Sequence, residues 1–260
     1  MAISGLNFKE RSLLFANLAS IAYSDDVDDV TSKVKNLGFT KVNFYNYGGA
    51  QAYRFVSKDD VIIACRGTQP GEFNDIRADL GAIPVMAETV GRVHLGFKQE
   101  VDELWPMVKG DLLTLKKERA AWFCGHSLGA AMATIMASRC NQDAEMPDIQ
   151  ELYTYGSPRV GNRKYVNSLC VTHHRWVNNN DIVTRVPLRL MGYRHHGEEH
   201  YMNAWGNVRN PTGWQRVKDR FRGMWWGLKK GKIDNFGDHS MVNYIENLER
   251  YNSGLEVQQY

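Results

Sequence analysis

The chain has 260 residues, 43% of them hydrophobic, with four cysteines and a formal net charge of +3. That length and composition suit one α/β domain over residues 1–260, and no apolar run approaches the roughly 18 residues that a membrane-spanning helix needs. The charge is uneven: residues 209–232 hold eight Lys or Arg against Asp219, a local +7, which argues for one basic surface and against a generally basic, nucleic-acid-coating protein.

Residues 1–10 lack a basic region followed by an apolar core and a cleavage site, so the expectation is a cytoplasmic or non-classically exported chain. Cys65, Cys124, Cys140 and Cys170 show no CxxC spacing and are expected to be free buried thiols.

From Phe8 to Tyr23 the apolar residues recur at helical spacing, which predicts a packing helix that ends before Asp25, Asp26, Asp28 and Asp29. Val27 and the missing glycine at the sixth place exclude a calcium loop, and these carboxylates read as a solvated loop. Three β-rich stretches follow: Thr40–Tyr47, Ala52–Ser57 and Val61–Cys65. The first two are expected to pair antiparallel. The third is apolar throughout, as a strand covered on both faces should be, and it opens into the polar loop 66–71.

Glu72–Leu80 reads as a short helix, Gly81–Thr89 as irregular, and Val93–Phe97 as the lead into a helix ending near Gly110. A loop-helix-loop excursion of this kind is where a mobile cover sits, although ordinary connections look the same.

Residues 121–131 pack an apolar strand, a sharp turn and a small-residue helix start into eleven positions. Gly125, Ser127 and Gly129 form a GxSxG nucleophile elbow, whose glycines permit the turn and whose helix aims its first N–H groups at the serine oxygen. A GxSxG pattern alone can be a plain tight turn. The strand-turn-helix context makes it a candidate nucleophile still in need of an acid and a base.

Leu152–Tyr155 is a predicted strand closed by Gly156-Ser157-Pro158, Asn162–Cys170 a crossover helix, and His174–Asn178 a further strand. Alternation of strands and helices predicts a largely parallel sheet with its reactive loops at the strand C-termini, where Asp181 falls. Tyr193–His200 reads as one strand, so His195, His196 and His200 diverge; with no CxxC or HExxH nearby, no metal and no cofactor are expected. Trp214, Val217, Phe221, Met224, Trp225 and Leu228 recur at helical spacing within the basic segment, either as an interfacial lipid-binding helix or as a core helix with a basic back. Last, His239 precedes a closing helix over Val242–Tyr251, with Asp238 or Ser240 as its cap.

With these pieces assembled, the chain resembles the class 3 lipase family, the fungal-type lipases and their bacterial relatives. The resemblance runs over roughly residues 40–250, through Arg66-Gly67-Thr68, the stretch 93–97, the elbow, the stretch 155–162, the stretch 178–187 and Asp238-His239. It implies an α/β-hydrolase fold, a mostly parallel central sheet flanked by helices, with a lid and a C-terminal insert. It further implies a triad of Ser127, Asp181 and His239, oxyanion donors at the backbone N–H groups of Thr68 and Leu128, a lid near Glu72–Leu80 and a lid-end aspartate at Asp79. The implied substrate is an acylglycerol or another lipid ester, met at a lipid or membrane interface. Phospholipase A1-like or short-chain esterase activity is the near alternative, and a non-catalytic lipid-surface module the distant one. Two departures are plain: no signal peptide or disulfide pattern is evident, and Phe73 is the one aromatic residue in the expected lid.

Overall fold

Asp60–Cys65 (β3) is buried at every position, and its alternating side chains divide between two cores. Val61, Ile63 and Cys65 enter one cluster while Ile62 and Ala64 enter the other. A strand with both faces covered must lie inside a sheet that carries helices on either side. A computed structural model, which describes residues 2–67, 82–115, 119–209 and 237–255, shows that arrangement.

The main sheet has eight strands in the order β1-β2-β3-β6-β7-β9-β11-β12. Lys41–Tyr47 (β1), Ala50–Val56 (β2) and β3 pair antiparallel. Ala120–His126 (β6), Ile149–Tyr155 (β7), Thr172–Asn178 (β9) and Glu198–Met202 (β11) continue from β3 in parallel. Val208–Arg209 (β12) closes that edge antiparallel. Pro84–Met86 (β4), Arg92–His94 (β5), Gly161–Asn162 (β8) and Tyr193–Arg194 (β10) form a small second sheet.

Helices Phe8–Ile21 (α1), Val27–Lys35 (α2) and Met241–Asn252 (α6) cover one face; Leu95–Thr114 (α3) and Leu128–Asn141 (α4) cover the other. A further short helix, Arg163–Asn167 (α5), lies beside the second sheet. Phe15 of α1 stacks on Tyr153 of β7 with ring centroids 4.5 Å apart, and burying such a ring contributes about 2 kcal/mol or more. In α4 every residue from Gly129 to Cys140 is buried; the alanines there let the helix lie close against the sheet. Its one buried cation, Arg139, is paired with Glu88 at 2.8 Å and with Asp102. This is the α/β-hydrolase architecture. Among the described residues no helix is long and apolar enough to cross a membrane.

Several expectations change. The acidic stretch after α1 starts a helix, because Asp26 caps α2 by accepting from the N–H groups of Asp28 and Asp29. Asp25 pairs with the buried Arg66. Residues 84–86 form β4 where an irregular stretch was expected, since β5 offers them a ladder. The helix expected to stop near Gly110 runs on to Thr114, and the expected crossover helix over 162–170 is only Arg163–Asn167. Tyr193–His200 is two strands broken at Gly197, whose φ is +83°. There a β-carbon would lie 2.5 Å from the His173 carbonyl. Cys65, Cys124 and Cys140 are buried free thiols, but Cys170 is exposed. The expected lid over 72–80 and the amphipathic stretch 214–228 lie outside the described residues, as does most of the expected insert.

Candidate active site

The parallel strands β3, β6, β7 and β9 end at one edge of the sheet, where Ser127 follows β6 and Asp181 lies past β9. Ser127 follows β6 with φ 57° and ψ −128°, a conformation rare for a residue with a side chain. The sequence tolerates this turn because the flanking positions are glycine. A β-carbon on Gly125 would lie 2.3 Å from the Gly129 carbonyl oxygen, and one on Gly129 would lie 2.3 Å from that of Cys65. Strand, turn and helix therefore approach more closely than any larger residue permits. Ser127 is 1% exposed, and its Oγ makes no hydrogen bond among the described residues.

Asp181 lies past β9 and is fully buried. Its carboxylate is met by three donors: Oδ2 accepts from His239 Nδ1 at 2.9 Å and from Tyr244 Oη at 2.7 Å, and Oδ1 accepts from the Val183 N–H at 2.9 Å. A buried carboxylate left without such donors is costly. The Tyr244 hydroxyl in turn accepts from the Asn178 N–H at 3.0 Å. Burial, and then the Asp181 charge, push the Tyr244 phenol well above its ordinary value, so it stays a donor.

His239 sits in the one-turn helix Gly237–His239, immediately before α6. The β9 loop holds that turn by three bonds. Asn178 Nδ2 donates to the Asp238 carbonyl at 3.0 Å, while Asn179 Nδ2 and the Asn180 N–H each donate to Asp238 Oδ2 at 3.1 Å. Asp238 thus fastens the histidine loop to the acid loop and does not cap α6. Ser240 occupies the cap position without a side-chain bond.

His126, beside the serine, is a second buried imidazole, its ring centroid 4.4 Å from that of His239. Its Nε2–H donates to the His239 carbonyl at 2.7 Å, and its Nδ1 accepts from Tyr23 Oη at 2.7 Å. Burial and the nearby His239 hold the His126 pKa well below the ordinary histidine range, which fits this neutral tautomer.

Of the predicted donors, Leu128 is the first residue of α4. Its N–H belongs to the first turn, where no intrahelical partner is available. Thr68 lies outside the described residues, as does Asp79. Gly67, the residue before Thr68, is packed against the elbow: a β-carbon there would fall 2.5 Å from the His126 carbonyl oxygen and 3.1 Å from Ser127 Cβ. The stretch 93–97 has a local explanation too, since the buried His94 caps α3 by accepting from the Gly96 N–H at 3.1 Å.

Sequence reasoning missed Tyr23, His126 and Tyr244, along with the roles of Asp238 and Gly156. Gly156 follows β7 with φ +59°; a β-carbon on it would lie 2.7 Å from Asp181 Oδ2 and 2.8 Å from His239 Nδ1. Its position directly after a predicted strand was the available signal. The three histidines of 195–200 have different partners: His195 Nε2 bonds the Thr184 carbonyl, His196 faces His173, and His200 faces His174, with which and with Glu198 it brings three potential ligand atoms within 4.8 Å of one another.

The family model described as Lipase (class 3) matches residues 61–191. The chain is 40% identical over 121 residues to the toxin TseL of Vibrio cholerae, covering 45% of this chain and 19% of that protein. It is 34% identical over 118 residues to secreted mono- and diacylglycerol lipase 1 of Fusarium solani, covering 43% and 34%. With a lipase of Rhizomucor miehei it shares 32% identity over 163 residues, covering 59% and 44%. The chain thus spans less than half the length of each of these relatives. Among solved structures, the triacylglyceride lipase of Rhizomucor miehei superimposes with a TM-score of 0.65 at 24% identity, covering 76% of this chain and 82% of that one. This likeness concerns the fold. On the match of the family model over half its length, together with the elbow and the strand order, the chain belongs to the class 3 lipase family.

Proposed function

We propose that the protein is a serine ester hydrolase that cleaves acylglycerols or related lipid esters through an acyl-enzyme. The observation that carries this reading is the contact of His239 Nδ1 with the buried Asp181 carboxylate, on the strand edge that also presents the strained Ser127. In the proposed reaction the Nδ1–H bond to Asp181 fixes the tautomer of His239, and Nε2 takes the Ser127 proton as Oγ attacks the ester carbonyl. The tetrahedral oxyanion meets the Leu128 N–H at the start of α4 and, by the family resemblance, the Thr68 N–H. One donor of this kind contributes about 3 kcal/mol to the transition state. His239 then gives its proton to the leaving alcohol, and a water repeats the cycle on the acyl-enzyme.

The fungal relatives support a lipid ester as substrate, secreted mono- and diacylglycerol lipases being among them. The local charge of +7 over 209–232 supports a second reading, in which an anionic phospholipid is the preferred ester and the basic segment meets its interface. Hydrolysis of p-nitrophenyl esters by the wild type and Ser127→Ala tests the chemistry. Full turnover in Ser127→Ala, or none in the wild type on any acyl ester, removes the proposal. A profile over tri-, di- and monoacylglycerols and phospholipids separates the two substrates.

A further inference from the structure

Beside the loop that holds Asp181, a cavity of about 390 Å³ opens between β9, β11 and residues 184–195. Arg159, Arg175, Arg185, Arg189 and Arg194 line it, and among the described lining residues Glu199 is the one carboxylate. Glu199 meets Arg175 at 2.8 Å. The acceptors that orient Arg159 and Arg194 are uncharged. Arg159 Nη1 donates to the carbonyls of Pro187, at 2.8 Å, and Arg185; Arg194 Nη1 donates to those of Arg189 and Tyr193, at 2.8 and 2.7 Å. Backbone carbonyls aim a guanidinium without cancelling its charge. The mutual repulsion is felt within the cluster: burial first, and then Arg189, Arg175 and Arg194, pull the Arg159 pKa down to about 10. An arrangement of like charges around a polar hollow is relieved by an anion.

We propose that this cavity is a binding site for a phosphate group. Arg159 comes from the loop after β7, and Arg189 and Arg194 from the turn 189–191 and the adjoining β10. Three guanidinium groups lining one cavity suit a tetrahedral group with several acceptor oxygens, whereas a planar carboxylate is satisfied by a single bidentate arginine. Val177 and Tyr201 are the main apolar surfaces of the lining, too few for an acyl chain. The site stands independently of whether Ser127 is a nucleophile. The phosphate can come from a soluble phosphate ester or from a phospholipid headgroup.

The full chain and two variants, Arg189→Gln and Arg189→Gln/Arg194→Gln, separate these sources. Arg189 is exposed, so its replacement leaves folding intact. Inorganic phosphate should raise the wild-type Tm by roughly 5 °C at saturation relative to sodium chloride of equal ionic strength. The single variant should need several-fold more phosphate, and the double variant should lose the shift. Turnover of a soluble short-chain ester should be unchanged in both. Co-sedimentation with vesicles of phosphatidic acid in phosphatidylcholine forms the second arm. A loss of vesicle binding in the double variant identifies the headgroup as the source, and a phosphate shift without that loss identifies a soluble ester. If wild type and double variant respond alike to phosphate and alike to vesicles, or if chloride matches phosphate, there is no phosphate site.

Discussion

Tyr244 donates its hydroxyl to Asp181 Oδ2 at 2.7 Å, on the same oxygen that accepts His239 Nδ1 at 2.9 Å. One carboxylate oxygen thus serves His239 and a phenol from the closing helix, and the phenol is itself held by the Asn178 N–H. Replacement of Tyr244 by phenylalanine leaves Asp181 one donor short and the Asn178 N–H without its acceptor. Tyr244→Phe should lower kcat about tenfold, the range of a hydrogen bond to a charged group, and destabilise the fold by about 1–3 kcal/mol. Ester kinetics and urea unfolding measure the two effects; an unchanged kcat would show that the hydroxyl only packs.

Gly156 has a more exacting role. Its absent side chain is the space in which Asp181 and His239 meet, and its φ of +59° is one that L-residues adopt at a cost. Gly156→Ala should cost about 1–3 kcal/mol of stability. By displacing the pair it should also reduce kcat/KM on the order of 100-fold. A folded Gly156→Ala with wild-type turnover would contradict this.

Asp238 ties the histidine loop to Asn179 and Asn180. In Asp238→Ala those two bonds are gone while Asn178 still donates to the backbone carbonyl and Ser127, Asp181 and His239 stay, so kcat should fall by roughly tenfold through misplacement of His239. Asp238→Asn keeps an acceptor oxygen and should recover much of the loss. Equal defects in the two variants would point to the charge of Asp238 and not to its positioning.

Acid should destabilise the fold through its buried histidines. The pKa values of His94, His126, His173, His195, His196 and His200 are all lowered, each first by burial. A lowered folded value means that below the ordinary 6.5 the unfolded chain binds protons that the native state refuses. The stability these groups contribute is complete above 6.5 and is lost as pH falls toward their folded values, about 4 for His200. Tm should drop on the order of 10 °C from about pH 7 to about pH 5. A flat Tm over that interval would mean these rings are charged in the fold.

By itself the sequence determined the strand, elbow and helix around Ser127, the places of Asp181 just past a strand and of His239 just before a helix, and the pairing of β1 with β2. Each of these is written in local spacing: turn-forming glycines, apolar runs, and a residue standing just past a strand or just before a helix. Tertiary structure alone decided what completes the site. Tyr23 meets His126 across 103 residues, Tyr244 meets Asp181 across 63 and Asp238 meets Asn179 across 59. No periodicity records which distant side chains share an edge of the sheet. The histidines of 195–200 are a further case: their partners follow from a break at Gly197 and from the pairing of β11 with β9, which depends on strand order. Local sequence prescribes burial and turns, whereas hydrogen-bond partners are chosen by the topology that packs those elements together.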